Sequence, residues 1–409
     1  MDLTELPFEQ LYVEWASEIT DAPRAYHEAI ARFVLSSVVN RKIWLPFGPQ
    51  KLHPNIYMLI VGPSTLKRKS WSVKLGRKLI AEIYPDFTIQ ETSSRQAFIS
   101  EFARRDRTPC GAGMIHIDEL KGFVDRVKMG NWHQGFFQDL SSFYDGESFR
   151  RRRGVDEKEK EEYRIDDPFL NIAACCSFDW LSSSIEASDL LGGFFSRFLW
   201  IVDNEPVTQI KTHPSPGDAM KYQLLVQKLY RINEYMGPAA WSPDADAIYH
   251  AWIQEWRLKN QGGQWDSNYD RMTFVAQKLA LLQAISRTEL TDDLVNPTIY
   301  ITPADLKPAI QLVMKTTTAF KDISIGDSRD DLMIRRVAAK ILKAGRIEHA
   351  ALMRGVRDLD AKKLQLAIAT LRESEVIEVL QDKVETLGGQ AYLKTLYIGK
   401  KELADWVRK

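Results

Sequence analysis

Hydrophobic residues along this chain occur either in short continuous runs or at helical spacing, and the two patterns predict different elements. The run from Ile56 to Val61 predicts a strand that is buried on both faces. After Gly62 the apolar residues recur at helical spacing, which predicts a helix (Val73, Leu75, Leu79, Ile80). Apolar runs at 113–117, 169–176 and 198–202 predict three more strands. Because strands and helices alternate, we expect an α/β fold.

Helical patterns precede and follow this α/β region. Residues 8–41 predict a pair of helices, and the region 206–326 predicts a helical lid or bundle. At the end of the chain, helical patterns at 332–343, 346–353 and 360–372 are followed by two strand patterns around Gly388 and Gly389, which is the order of a winged helix. The expected parts are a helical region at 1–50, an α/β core at 51–205, the helical lid at 206–326 and a winged helix at 327–409.

Composition narrows the class of protein. The 409 residues are 44% hydrophobic, which suffices for real cores. Lys plus Arg (55) equals Asp plus Glu (55), so any surface that binds nucleic acid must be local. The three cysteines predict no disulfide framework, and the chain contains neither a signal-peptide pattern nor an apolar run of about 18 residues. We therefore expect a soluble cytoplasmic protein without a membrane partner.

The turn between the first core strand and its helix has the features of a phosphate-binding loop. It contains Gly62, Pro63, Ser64, Thr65, Arg68, Lys69 and Ser70. Backbone N–H groups and the helix N-terminus can hold an anion there, Lys69 can reach the terminal phosphates of ATP, and Ser70 can ligate Mg²⁺. Six residues separate Gly62 from Lys69 where the usual motif has five, and Arg68 replaces its second Gly. The alternative is an ordinary connection with solvated basic side chains.

Polar residues also follow two other core strands. Asp118 and Glu119 end the strand at 113–117, where Asp118 would hold Mg²⁺ through water and Glu119 would orient and deprotonate the attacking water. An ordinary acidic pair at a strand end is the alternative. Ser177 ends the strand at 169–176 and is a candidate for sensing the γ-phosphate.

Two arginine features have both a functional and a structural interpretation. Arg197 precedes the strand at 198–202 and could act on the nucleotide of a neighbouring subunit, or it could form a structural salt bridge. Four consecutive arginines, Arg150, Arg151, Arg152 and Arg153, lie before an acidic segment. They predict either a solvated hairpin or a hairpin that contacts a phosphate backbone.

The C-terminal segment is net basic, and its third predicted helix carries Lys362 and Lys363. In a winged helix this helix would face DNA. Winged helices also serve as protein-contact modules, so both interpretations stay open.

Several of these segments together resemble a bacterial and phage P-loop ATPase family that is catalogued as a domain of unknown function and is often associated with primases. The segments are Asp21-Ala-Pro23, the loop from Gly62 to Ser70, Ile117-Asp118-Glu119, Ser177-Phe-Asp-Trp180, Gly193-Phe-Phe-Ser-Arg197-Phe198 and Lys278-Leu-Ala-Leu-Leu282. That family is similar to superfamily-three AAA+ replicative helicases. The resemblance covers about residues 8–325.

The resemblance implies a P-loop NTPase core of the AAA+ type that hydrolyses ATP with Mg²⁺. It implies a homo-oligomeric ring, expected to be a hexamer, with single-stranded DNA in a central channel near Arg150–Arg153, and an association with a primase. The expected function is ATP-dependent DNA helicase or translocase activity in phage, plasmid or mobile-element replication. The alternative is a nucleotide-dependent switch or recruitment ATPase that binds DNA or protein without unwinding.

Overall fold

The computed structural model describes residues 2–63, 67–91, 94–103, 111–129, 135–153, 161–177, 180–181, 193–203, 210–211, 213–260, 266–288, 299–325, 329–356, 361–385, 391–401 and 403. The chain forms two compact units. The first contains residues 1–181 and 185–320, and the second contains residues 182–184 and 321–409. The first unit thus includes residues from the three parts expected at 1–50, 51–205 and 206–326.

In the first unit, helices precede and follow the core strands along the chain. In chain order its elements are α1 (Phe8–Ile19), α2 (Arg24–Val39), β1 (Ile43–Phe47), β2 (Gln50–Leu52), β3 (Tyr57–Val61), α3 (Lys69–Ile83), β4 (Thr88–Ile89), α4 (Arg95–Ala103), β5 (Ala112–Ile117), α5 (Leu120–Met129), α6 (Phe136–Tyr144), β6 (Phe149–Arg153), β7 (Glu161–Ile165), β8 (Phe169–Cys176), β9 (Phe198–Val202), α7 (Ala219–Glu234), β10 (Gly237–Pro238), β11 (Ala240–Trp241), α8 (Pro243–Lys259), α9 (Asp266–Arg287), β12 (Tyr300–Ile301) and α10 (Pro303–Ile325). The α/β class expected from the sequence is confirmed.

A five-stranded parallel sheet forms the centre of this unit. Its strand order is β4-β5-β8-β3-β9, so β8 lies between β5 and β3. Every residue of β3, β5 and β8 is buried, which explains why these strands read as continuous apolar runs. Because all five strands are parallel, their carboxyl ends lie at one edge of the sheet.

Helix α2 packs against this sheet and against α1 and α3. A buried polar network joins it to the sheet: the Asn171 side chain of β8 donates to the hydroxyls of Ser36 and Ser37, each over 2.9 Å. Asn171 also accepts from the backbone N–H of Ile56 over 2.7 Å. Buried amide groups need such partners, so this network fixes the position of α2 relative to β3 and β8.

The helices expected in the lid region form, and their first residues explain where two of them begin. The Ser242 hydroxyl accepts from the backbone N–H of Ala245 at the start of α8. At the start of α10, Asp305 accepts both the N–H and the hydroxyl of Thr302, over 2.8 and 2.7 Å. These side chains satisfy polar groups that a helix terminus leaves without intrahelical partners.

The second unit contains α11 (Arg329–Ala344), β13 (Arg346–Glu348), α12 (His349–Gly355), α13 (Ala361–Glu373), β14 (Ile377–Glu385) and β15 (Ala391–Gly399). Its sheet is antiparallel with the order β13-β15-β14. The expected helix from Arg346 is wrong at its start, because Arg346–Glu348 instead pairs with Leu396–Ile398. Pairing with a distant strand has overridden the local helical pattern.

No helix among the described residues is long and apolar enough to cross a membrane.

Candidate nucleotide-binding site

The polar residues that follow the core strands lie along one edge of the sheet. Gly62 follows β3, Asp118 follows β5 and Ser177 follows β8. With strands about 4.8 Å apart, the ends of β3 and β5 are separated by roughly 10 Å, and the end of β8 lies between them. In parallel α/β sheets this carboxyl edge is where ligands bind.

Several site residues lie close enough to the thiol of Cys175, near the end of β8, to shift its pKa. Burial is the main cause that raises the pKa of Cys175 to about 12, and the negative charge of Asp118 adds to it. The positive charge of Lys69 and a hydrogen bond with Ser70 act in the opposite direction. Lys69, Ser70 and Asp118, which the sequence assigned to one site, therefore lie around the same strand end.

Close packing requires the glycine at the start of the turn. The Tyr26 hydroxyl donates to the carbonyl of Val61 over 2.7 Å, and a Cβ atom at position 62 would collide with that hydroxyl. The N–H of Gly62 donates to the carbonyl of Cys176 over 3.3 Å. Gly62 thus lets α2 and the sheet enclose the turn from two sides.

Lys69 is held over the mouth of the turn. Its ammonium donates to the carbonyls of Gly62, over 2.6 Å, and Pro63, over 2.7 Å. Burial lowers the pKa of Lys69, while the nearby thiols of Cys175 and Cys176 raise it. An ammonium group has three donors, so one N–H is left over after these two bonds and can point to a phosphate oxygen.

The other two basic residues of the turn, Lys67 and Arg68, each form an ion pair. Lys67 is buried and forms an ion pair with Asp203, the residue after β9. Arg68 lies 3.3 Å from Asp21 and adopts a left-handed backbone conformation, with φ 49° and ψ 31°. That conformation costs a non-glycine residue about 1 kcal/mol. Arg68 thus takes the backbone conformation of the glycine that it replaces in the usual motif. Ser64 and Thr65 lie outside the described residues.

The acidic pair is exposed at the end of β5, where solvent and a ligand can reach it. His116 Nε2 lies 3.1 Å from Asp118 Oδ1, and the guanidinium of Arg77 lies 3.2 Å from the other ring nitrogen. Burial lowers the pKa of His116 to about 4, so its imidazole is neutral at pH 7. The backbone N–H of Asp118 donates to Glu91 over 3.3 Å. Glu91 therefore helps to hold the backbone of Asp118, and the neutral His116 ring lies beside the Asp118 carboxylate.

The donor set fits Mg²⁺ better than a metal held by protein alone. Among the described residues, no group of three His, Cys, Asp or Glu side chains could hold a metal ion. Mg²⁺ commonly uses one or two protein ligands together with water and substrate phosphates. Ser70 and Asp118 can supply those protein ligands.

Ser177 lies between the turn and the acidic pair. Its side chain is half-buried, and its hydroxyl is 3.4 Å from the backbone nitrogen of Trp180. A hydroxyl at the end of the strand between β3 and β5 can donate to a phosphate that is held by the turn.

Arg197 lies at the opposite edge of the sheet, just before β9. It is buried, and its guanidinium forms a bidentate ion pair with Asp145, with Nε 3.1 Å from Oδ1. The Phe198–Val202 strand parallels Tyr57–Val61, so about 16 Å of strand separates Arg197 from the level of Gly62. Arg197 cannot reach the turn of its own chain, and here it forms the salt bridge that was the alternative interpretation.

The structure describes only some of the side chains that the sequence predicts to contact DNA. Strands β6 and β7 form an antiparallel hairpin that carries Arg150–Arg153, and Arg150 is exposed. Lys362 and Lys363 lie in the first turn of α13. The side chains of Arg151–Arg153, Lys362 and Lys363 lie outside the described residues.

Sequence reasoning missed Asp203 and His116 as parts of the site. Asp203 carried the same signal as Asp118, a polar residue directly after an apolar strand. His116 had no such signal, because it lies within β5 and its role depends on Arg77 of α3.

No family model and no curated protein matches this sequence.

Proposed function

We propose that this chain is an ATP-hydrolysing DNA helicase or translocase, similar to superfamily-three helicases, that works as a ring in phage, plasmid or mobile-element replication. One observation carries the proposal: the turn with Gly62 and Lys69 and the acidic pair Asp118-Glu119 end two parallel strands that are separated only by β8. This is the arrangement that a triphosphate and a water-activating carboxylate need.

Each residue then has a role in hydrolysis. The backbone of the turn and Lys69 bind the β- and γ-phosphates, and Ser70 with Asp118 would hold Mg²⁺, which would neutralise charge on the phosphate oxygens. Glu119 takes a proton from water as the water oxygen attacks the γ-phosphorus. The bond between the γ-phosphorus and the bridging oxygen breaks, and ADP leaves with that oxygen. Ser177 contacts the γ-phosphate.

The oligomer and the DNA surfaces extend this proposal. Arg197 would act on the nucleotide of a neighbouring subunit, because the length of β9 separates it from its own turn. The β6–β7 hairpin would bring Arg150–Arg153 to single-stranded DNA in the channel of a homohexamer. The core would be a P-loop NTPase of the AAA+ type and the second unit a winged helix that contacts DNA with Lys362 and Lys363. A primase is the proposed partner.

The Arg197–Asp145 pair supports a second candidate, a nucleotide-dependent switch or recruitment ATPase without unwinding activity. In such a protein the salt bridge would persist in one nucleotide state and break in the other.

Strand displacement separates the two candidates. The full chain with ATP and Mg²⁺ should displace one strand of a partial duplex, and single-stranded DNA should stimulate its ATP hydrolysis. Glu119→Gln should abolish displacement and keep DNA binding. Nucleotide binding without stimulation or displacement would instead support the switch.

A further inference from the structure

A cavity of about 340 Å³ lies at the amino-terminal edge of the central sheet, opposite the edge that carries the phosphate turn. Asn55 lines it just before β3, and Arg197 lines it just before β9. Helix α6 contributes Tyr144 and the adjacent Asp145. The residues Arg271 and Lys278 of α9 complete the polar wall. We call this space the amino-edge cavity.

Four cationic side chains line the amino-edge cavity (Lys51, Arg197, Arg271, Lys278), but the described residues provide one carboxylate close to them, Asp145. Asp145 is bound by both nitrogens of Arg197. Neither Arg271 nor Lys278 has an Asp or Glu oxygen within 4 Å among the described residues. Within the described part of the chain, Arg271 and Lys278 therefore have no carboxylate bound to them.

Lys278 is the most enclosed of these cations, with 4% of its surface exposed. Its ammonium donates to the Asn55 side-chain oxygen over 2.7 Å and lies 3.9 Å from the centre of the Tyr144 ring. Of the described residues, Asn55 alone accepts a hydrogen bond from it, and the Tyr144 ring covers one side of the ammonium, so at most two of its three N–H donors remain for a ligand. A buried ammonium with so few partners is unfavourable unless an anion joins it.

Arg271 and His53 also line this space. Arg271 donates to the hydroxyl of Ser196 over 2.9 Å, which uses one of its five N–H groups. Burial lowers its pKa, and the nearby charge of Arg197 lowers it further. His53 lines the same cavity, and its buried Nδ1 has no hydrogen-bond partner among the described residues.

We infer that the amino-edge cavity binds a phosphoryl group through Lys278 and Arg271, with Arg197 beside them. The oxygens of a phosphoryl group can accept hydrogen bonds from both the Lys278 ammonium and the Arg271 guanidinium fork, for which the described residues provide no bound carboxylate. The group can belong to a free phosphate compound or to the nucleotide bound at the phosphate turn of a second copy of this chain. The second source rests on the proposed function.

The first experiment uses inorganic phosphate and the full-length Lys69→Ala chain, in which the phosphate turn is disabled. Calorimetric titration should show phosphate binding, and adding Lys278→Met should weaken it at least tenfold, because a charge-assisted hydrogen bond is removed. Lys315→Met, which removes an exposed lysine of α10, should leave binding unchanged and serves as the control. Arg271→Gln provides an independent variant of the same wall, so a folding failure of either variant does not end the test.

A mixing experiment identifies the source of the phosphate. Lys278→Met chains retain an intact phosphate turn, and Lys69→Ala chains retain an intact cavity. If the cavity acts on a neighbour's nucleotide, each variant alone should hydrolyse ATP at least tenfold more slowly than the wild type, and the mixture should recover turnover. Phosphate binding without such recovery would identify a free phosphate compound as the ligand.

The inference is overturned if neither Lys278→Met nor Arg271→Gln weakens phosphate binding and the mixture shows no recovery. If the wild type does not hydrolyse ATP at all, the proposed function fails, but the phosphate titration still decides whether the cavity binds its ligand.

Discussion

At the scale of single residues, the site depends on contacts between groups that are distant in sequence. Tyr26 of α2 holds the carbonyl of Val61, and its hydroxyl occupies the space into which a side chain at position 62 would project. Gly62 is therefore required by packing as well as by the phosphate binding that we propose for this turn. These two requirements can be separated by mutation.

Gly62→Ala should lower the free energy of unfolding by about 1–3 kcal/mol, because the added methyl displaces the Tyr26 hydroxyl. Tyr26→Phe should cost about 1–2 kcal/mol, since it leaves the carbonyl of Val61 without that donor. The double variant should lose clearly less than the sum, because removing the hydroxyl makes room for the methyl. Denaturant unfolding of the four proteins measures this coupling, and strictly additive losses would contradict the packing explanation.

Lys278 should make the free energy of unfolding rise with pH, whereas a salt-bridged lysine makes it fall. Burial lowers its pKa to about 7, whereas a lysine in the unfolded chain titrates near 10.4. Between these values the unfolded chain binds more protons, so this residue makes the folded state gain stability as pH rises, by up to about 1.4 kcal/mol per pH unit. Below pH 7 its penalty is constant.

Unfolding of the wild type and of Lys278→Met at pH 7, 8 and 9 tests this expectation. As pH rises, the free energy of unfolding of the wild type should increase relative to that of Lys278→Met. The other charged and titratable groups that line the cavity are present in both proteins, so their direct contributions largely cancel (Lys51, His53, Tyr144, Asp145, Arg197, Arg271). A difference that does not change with pH would contradict the assigned titration.

At the scale of elements, the core strands β3, β5 and β8 could be predicted from the sequence. Both faces of these strands are buried, so each appears as a continuous run of mainly apolar residues. The sequence also predicted the residues at the site edge, since polar side chains after buried strands are a local signal. Partners that depend on tertiary contacts were not predictable. Arg346–Glu348 forms a strand only because β15 lies beside it, and the Arg197–Asp145 pair joins segments 52 residues apart.

The β6–β7 hairpin pairs basic with acidic positions along part of its length. Arg152 lies opposite Glu162 and Arg153 opposite Glu161, whereas Arg150 lies opposite Arg164. Arg164 is itself ion-paired with Asp166, so Arg150 is the arginine of this run with no acidic residue opposite it at that end of the hairpin. A phosphate backbone would find its partners there.

Replacing Arg150–Arg153 with Gln should weaken binding of single-stranded DNA. The slope of log K against log salt should fall by about 0.7 for each phosphate that the arginines no longer neutralise. Fluorescence anisotropy of a labelled oligonucleotide over a range of salt concentrations measures both effects. Lys307→Gln with Lys315→Gln, two exposed positions on α10, controls for the change in net charge. An unchanged slope would mean that these arginines are solvated and do not contact DNA.

At the scale of the whole molecule, a formal charge of zero means that any contact with DNA depends on local surfaces. The first unit has two chemically different edges of one sheet: the proposed nucleotide site at the carboxyl edge, and the amino-edge cavity, where Arg271 and Lys278 have no bound carboxylate among the described residues. A protein that acts as a ring could use both edges of each subunit, one for its own nucleotide and one for the nucleotide of its neighbour.

ATP turnover of the full chain, measured together with nucleotide binding, tests the central claim most directly. Lys69→Ala should lose nucleotide binding and hydrolysis, whereas Glu119→Gln should keep binding and lose at least about a hundredfold in turnover. Lys74→Ala, at an exposed position of α3, should match the wild type. Turnover that is unchanged in Lys69→Ala or in Glu119→Gln would contradict the assignment of a triphosphate to the turn at Gly62 and of its cleavage to the acidic pair.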